Sequence, residues 1–205
     1  MARCARYHQR SILQFHVNTA MAKRISLREF QQGLSERLVS ARRGEGAQAL
    51  LGIESGSDDL PGGSHWLIDL ADSGEVTPLP PLTPAPLTKP WFAGIANIRG
   101  VLYGVVDCSA WRGGAPTPIN AQARLLLVGA RHGVNTALLV RRALGLRPQL
   151  EMHATGETHA HAGTQGAGEP PAWLGGRFRD PQDQTWTQLR IPALLSDPSY
   201  LDIAL

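Results

Sequence analysis

The chain predicts an all-β fold preceded by one N-terminal helix. Three observations carry this. From residue 49 onward, short apolar runs are broken about every 8–20 residues by Gly, Pro, Asn and Asp clusters, giving about nine or ten short strands, the pattern of small barrels or a sandwich. Strands do not alternate with helical segments, so a doubly wound fold is not expected. A helical apolar period occurs once in any length, over residues 26–43.

In that segment Ser26 stands at the N-cap position with Glu29 three residues on, as in a capping box. Leu27, Phe30, Leu34 and Leu38 then recur at helical spacing, and Gly44 and Gly46 end the pattern. Residues 49–54 read as the first strand, 56–64 as a hairpin loop, and Trp66, Leu67, Ile68 and Leu70 as a run that Glu75 and Val76 close. Six of the 15 prolines fall in 78–90. Proline cannot donate to a ladder, so that stretch reads as extended connection. Runs over 92–98 and 101–108 meet at Gly100, and both phases of the second are apolar, so both its faces should be covered. Residues 111–120 read as a loop, 124–129 as a strand, His132-Gly133 as a turn, 136–140 as the partner strand and 154–171 as a loop rich in Gly, Ala, Thr and His. Residues 180–183 read as a turn, 185–191 as a strand, 192–196 as a short helix and 200–205 as a terminal apolar piece. The expected organisation is a leader (1–20), a helix (21–44) and one β domain (45–205).

Composition excludes several functions. The 205 residues carry a formal charge of +3. Arg3, Arg6 and Arg10 account for all of it, so the remainder is neutral. Charged residues make up 18%, below the roughly 25% of ordinary domains. No basic stripe with interleaved aromatics marks a nucleic-acid surface. No apolar run reaches the ~18 residues of a membrane span, and 1–20 is too polar for a signal peptide, so the chain is expected in the cytoplasm without direct membrane insertion. Met21 is the expected true start. Cys4 and Cys108 are not expected to pair, and Cys108 reads as a small buried apolar residue.

Enzyme constellations are not evident. Trp111-Arg112-Gly113-Gly114 lacks the Lys-Ser/Thr of a phosphate loop. Around Ser55, Gly52 and Gly56 are spaced wrongly for a nucleophile elbow. His153, His159 and His161 with Glu157 could approach a metal, but they sit in a Gly/Ala tract without cysteine, whereas a structural zinc needs four convergent ligands on a rigid frame. They are expected to lie in a solvent-exposed loop. Trp66, Trp91 and Trp186 are expected in packing, and Trp111 and Trp173 at exposed contacts.

Residues 90–107 read Pro-Trp-Phe-Ala-Gly-Ile-Ala-Asn-Ile-Arg-Gly-Val-Leu-Tyr-Gly-Val-Val-Asp. This resembles the central motif of CheW-like domains, Gly-x-x-Asn-Leu-Arg-Gly followed by an apolar strand and Val-Asp-Leu. Gly94, Asn97, Arg99, Gly100 and Asp107 match, and Ile98 stands for leucine. Residues 66–76, 124–146 and 173–203 resemble other parts of the domain in the same order, so the likeness covers about residues 48–205. The helix at 26–43 with the proline-rich connection is similar to the PilI-like branch, which serves type IV pili and twitching motility. One departure stands out: Arg141 occupies a place where the family usually has aspartate.

The resemblance implies two five-stranded SH3-like barrels on a shared core, no active site and no cofactor. It implies a scaffold that joins the regulatory domain of a CheA-type histidine kinase to the cytoplasmic tip of a chemoreceptor in membrane-associated arrays. A flagellar adaptor, and a standalone β-barrel binding module, remain the alternatives. An arginine interrupting two apolar strands must pair or emerge at a surface. Glu75 is its expected partner, and the pair is expected to shape a protein contact or fix strand register. The expected partner-binding residues are Glu75, Gly94, Asn97, Arg99, Gly100, Leu138 and Val140, the last two as an exposed apolar strip or, equally, as core between barrels.

Overall fold

The structure, a computed structural model, describes residues 49–60, 62–155 and 170–205. The leader, the helix expected over 26–43, and Glu157, His159 and His161 lie outside the described residues. The chain divides between Gly44 and Glu45, and every described residue belongs to the second part.

Two sheets form this part. The first contains β1 (Ala49–Glu54), β2 (His65–Asp69), β9 (Arg142–Pro148), β10 (His153–Ala154), β11 (Leu174–Arg179) and β12 (Thr185–Leu189), in the order β10-β11-β12-β2-β1-β9. The second contains β3 (Ser73–Pro78), β4 (Leu82–Thr83), β5 (Phe92–Ile98), β6 (Val101–Asp107), β7 (Arg124–Val128) and β8 (Thr136–Val140), in the order β3-β7-β8-β6-β5-β4. Neighbours are antiparallel except β12 with β2 and β6 with β8. Short helical turns α1 (Cys108–Trp111), α2 (Ile191–Leu195) and α3 (Pro198–Leu201) complete the fold. The resemblance implied five strands per barrel; each sheet has six, counting the two-residue β4 and β10.

The run expected over 66–76 is two strands in different sheets. Asp69 causes the break: its Oδ1 accepts from Ala71 N–H at 3.1 Å and its carbonyl from Asp72 N–H at 2.9 Å, an aspartate-built turn. The chain crosses back after Val140, where β9 leaves the second sheet to pair with β1.

Three apolar clusters explain why so many strands are apolar in both phases. One face of the first sheet packs Leu50, Leu67, Met152 and Trp186 with Leu144 and Phe178. One face of the second packs Ala96, Val105, Leu125, Ala137 and Leu139. The opposite faces share a third cluster that includes Leu51, Ile53, Trp66, Ile68, Val106, Leu126, Leu138 and Val140. The sheets curl without closing their hydrogen-bonded ladders. Arg147 of β9 lies 4.9 Å from the Trp186 ring of β12 although two strands separate them in the sheet order.

This packing corrects the expected exposed strip. Leu138 and Val140 are both 0% exposed, because β8 lies in the middle of its sheet and presents them to the shared core while Leu139 faces the other cluster. Each stabilises the fold by about 1.5–3 kcal/mol and is out of a partner's reach. Trp173, expected at an exposed contact, is buried as well, and Trp111 is half-buried against it. Their rings lie 5.0 Å apart, and Trp173 also meets Trp66 while Trp111 meets Tyr200 edge-on. Burial pushes the Tyr200 hydroxyl up to about 12, so it stays protonated and hydrogen-bonds Thr136 at 2.9 Å.

Arg112 ties the two sheets together. From the end of α1 it donates to the carbonyls of Cys108 (3.1 Å), Gly63 (3.0 Å) and Ser55 (2.6 Å) and stacks 4.5 Å from the Trp66 ring. Burial draws its pKa below the ordinary arginine value, against the influence of Cys108 and Asp107.

Candidate partner-binding site

The hairpin motif over residues 94–107 is built by backbone requirements first. Ile98 pairs with Val101, which leaves Arg99 and Gly100 as a two-residue turn. Their φ angles are +52° and +87°; positive φ at both positions defines a type I′ turn, whose twist suits a hairpin. Asn97 completes it, its Oδ1 accepting from Gly100 N–H at 2.9 Å. Gly94 has φ +124°, and a Cβ there would stand 2.5 Å from the Thr83 carbonyl oxygen. It permits β4 to lie against β5 where the register shifts.

The turn projects Arg99 outward, and its Nη2 donates to Glu75 Oε1 at 2.7 Å. The expected pair therefore forms. It joins the edge strand β3 to the tip of the β5–β6 hairpin, so it also spans the curl of the sheet. Both side chains remain in solvent, at 77% and 41% exposure. Val101 and Leu102 are exposed beside the turn, Leu102 at 60%. The surface is thus a guanidinium–carboxylate pair next to apolar side chains, suited to a protein contact with a polar orienting group and an apolar neighbour.

The expected site residues separate into three groups. Glu75 and Arg99 come together at the surface, with Asn97 and Gly100 exposed at the same tip. Gly94 is buried and serves the shape of the hairpin rather than a contact. Leu138 and Val140 lie in the core. Sequence reasoning missed Leu102; its signal was an apolar residue directly after a tight turn, three positions from a surface arginine.

Asp107, the last residue of the motif, is buried at 4% exposure. One oxygen accepts from Ser109 N–H (3.0 Å), Ala110 N–H (3.2 Å) and the Thr117 hydroxyl (2.7 Å), and the other from Thr117 N–H (2.6 Å). It caps α1 and fixes the loop that follows. Among the described residues, no group of three or more His, Cys, Asp and Glu could hold a metal, and His153 is exposed on β10. No helix among them is long and apolar enough to cross a membrane.

A family model described as the CheW-like domain matches residues 61–199. The chain belongs to the CheW-like domain family. It is 27% identical over 143 residues to Protein PilI of Pseudomonas aeruginosa, covering 70% of this chain and 76% of that protein. Among solved structures it resembles the scaffolding protein TtCheW from Thermoanaerobacter tengcongensis, with a TM-score of 0.53, 16% identity, and 70% of this chain and 88% of that one covered.

Proposed function

We propose that this protein is a non-catalytic adaptor that couples the cytoplasmic tip of a methyl-accepting chemoreceptor to the regulatory domain of a CheA-type histidine kinase. The likeness to Protein PilI supports a pathway whose output is type IV pilus twitching rather than flagellar rotation. The adaptor works in the cytoplasm at receptor arrays. Glu75, Arg99 and Leu102 contact a partner, and Asn97, Gly100 and Gly94 hold them in place.

One observation carries this reading. Arg99 occupies a left-handed backbone position, φ +52°, that Asn, Asp or Gly fills at lower cost. Its ion pair is exposed, and such pairs stabilise a fold by only about 0–1 kcal/mol. Fold stability gives little reason for an arginine there, whereas a guanidinium held at a rigid tip beside exposed leucine is well made for recognition.

Co-purification with the CheA-type kinase of the same genome tests it. Wild type should retain the kinase, and Arg99→Glu should weaken retention while remaining folded. Retention by both would move Arg99 to the receptor contact. A folded wild type that binds neither kinase nor receptor tip would leave a standalone β-barrel binding module as the better account.

A further inference from the structure

We propose that Asp72 is a positioning residue for the Arg99 site: clamped by Arg131 and His132, it fixes the bulge in β3 that aims Glu75 at the Arg99 guanidinium. The inference rests on the adaptor reading above, since it explains how one half of that contact is held in place.

Ladder pairing alone does not set the direction of Glu75. β3 lies at the edge of the second sheet and pairs with β7. Ser73 stands opposite Val128 and Val76 opposite Leu126, so Gly74 and Glu75 together face Leu127. Two residues against one make a bulge, a device that re-aims a side chain. Gly74 permits the close approach: a Cβ there would stand 3.1 Å from the Leu127 carbonyl oxygen and 3.2 Å from that of Val128. The extra residue breaks the alternation of faces along the strand, so the aim of Glu75 depends on how both flanks of the bulge are held. The ladder from Val76 to Pro78 holds the flank after it. Asp72 holds the flank before it.

Asp72 immediately precedes β3 and is buried. Its carbonyl accepts from Gly129 N–H at 2.9 Å. Its Oδ1 meets Arg131 Nη2 and, at 2.9 Å, His132 Nε2. Arg131 Nε in turn lies 3.4 Å from His132 Nε2, so the three side chains touch pairwise. Arg131 and His132 belong to the helical turn Ala130–His132 between β7 and β8. The clamp therefore ties the start of β3 to the end of the strand that faces the bulge, through backbone and side chains together.

Stability gives little reason for a carboxylate at this place. Taking a charge out of water is costly, and a buried ion pair does little better for a fold than apolar side chains of the same volume. What a guanidinium–carboxylate contact does supply is a defined geometry. Three residues after Asp72 that geometry is used, where Glu75 meets Arg99 at 2.7 Å.

Two variants of the full chain test the proposal, Asp72→Asn in the clamp and Gly74→Ala in the bulge, with thermal melts to check folding. The first readout needs no partner: the Arg99 Nε–H signal by nuclear magnetic resonance, calibrated with Glu75→Gln. Both variants should move that signal toward its place in Glu75→Gln. The second readout is calorimetry with the kinase regulatory domain and, separately, with a receptor-tip fragment. Both variants should weaken the partner that Arg99→Glu releases by about threefold or more and leave the other within about twofold. In the Glu75→Gln background neither should weaken binding further, because the residue being aimed is already disabled. An Arg99 signal that keeps its wild-type place in both folded variants overturns the positioning role. So does equal loss of both partners, or a loss that adds in full to that of Glu75→Gln, since either would mean general loosening of the sheet. A wild type that binds neither partner while the Arg99 signal moves as expected overturns the adaptor reading and leaves the clamp's hold on Glu75 supported.

Discussion

Replacing Arg99 by Asn separates the needs of the turn from the needs of recognition. The substitution removes the 2.7 Å contact with Glu75, a loss of at most about 1 kcal/mol at this exposure. It also replaces a residue that pays about 1–2 kcal/mol for a left-handed conformation with one that adopts it readily, and it creates the Asn-Gly pair that type I′ turns favour. The balance lies between about zero and 2 kcal/mol in favour of the variant. For a domain of this size that runs from an unchanged melting temperature to a rise of about 4–8 °C. Affinity for the kinase regulatory domain or the receptor tip should nevertheless fall about tenfold, read by calorimetry. Glu75→Gln should behave similarly, with a small change in melting and a loss of affinity for the same partner. A drop in melting temperature of more than about 4 °C for Arg99→Asn would refute the reasoning, because it would make the pair a structural brace across the curled sheet. So would undiminished binding to both partners.

Three further outcomes follow from buried groups. Asp107→Asn keeps the shape but sets an amide N–H₂ against either the Thr117 N–H or the donors of α1; a loss of about 2–4 kcal/mol in urea unfolding is expected, and less than about 1 kcal/mol would show that the four contacts are not what fixes the loop. Arg112→Ala strips a donor from three carbonyls and uncovers Trp66, so a loss of at least about 3 kcal/mol is expected by the same measurement, with unchanged stability contradicting its role as the tie between sheets. At Asp180 burial alone would raise the carboxyl, but hydrogen bonds from Trp186 Nε1, Gln184 N–H and Gln182 N–H, with Arg147 nearby, together hold it below its ordinary 3.8. A depressed carboxylate contributes stability that is present above that ordinary value and lost as pH falls through the folded one. Asp180→Asn should therefore be less stable than wild type at neutral pH, with the gap closing below about pH 4; a gap that stays constant to pH 2 would refute this.

The parts of the fold legible in the sequence are those where local chemistry and tertiary structure agree. Arg99-Gly100 between two apolar runs, with Asn97 ahead of it, fixes a hairpin and its register without reference to the rest of the chain. Leu138 and Val140 were ambiguous because a strand that is apolar in both phases can hide one face under a second layer or offer it to a partner. Strand composition does not distinguish these, and the answer came from the other sheet, whose Ile53, Trp66 and Ile68 cover them. The break at Asp69 was missed because the apolar run continues through Leu70, while the deciding contacts are made by one carboxylate and one carbonyl. Arg112 was invisible for a different reason. A guanidinium shared among one carbonyl of its own turn and two from the distant β1–β2 hairpin leaves no local pattern, and its surroundings, Trp-Arg-Gly-Gly, read only as loop.

The two ends of β6 explain why this motif suits an adaptor. At its start the strand receives a turn that needs positive φ twice and so presents Arg99 at a fixed angle. At its end Asp107, still paired with Leu139, caps α1 and pins the following loop at Thr117. Between them Val105 and Val106 are buried on opposite faces, so the strand is anchored to both the second sheet's own cluster and the core shared with the first. A strand held on both faces cannot easily change the spacing or orientation of its two ends. Partners bound to surfaces that this strand supports would be kept in a constant relation to each other. On that argument a lesion in the middle of β6 that loosens packing, such as Val106→Ala, should reduce the yield of the three-component complex more than it reduces either pairwise affinity. A variant that lowers all three in proportion would show that β6 merely holds up the fold and sets no geometry between the partners.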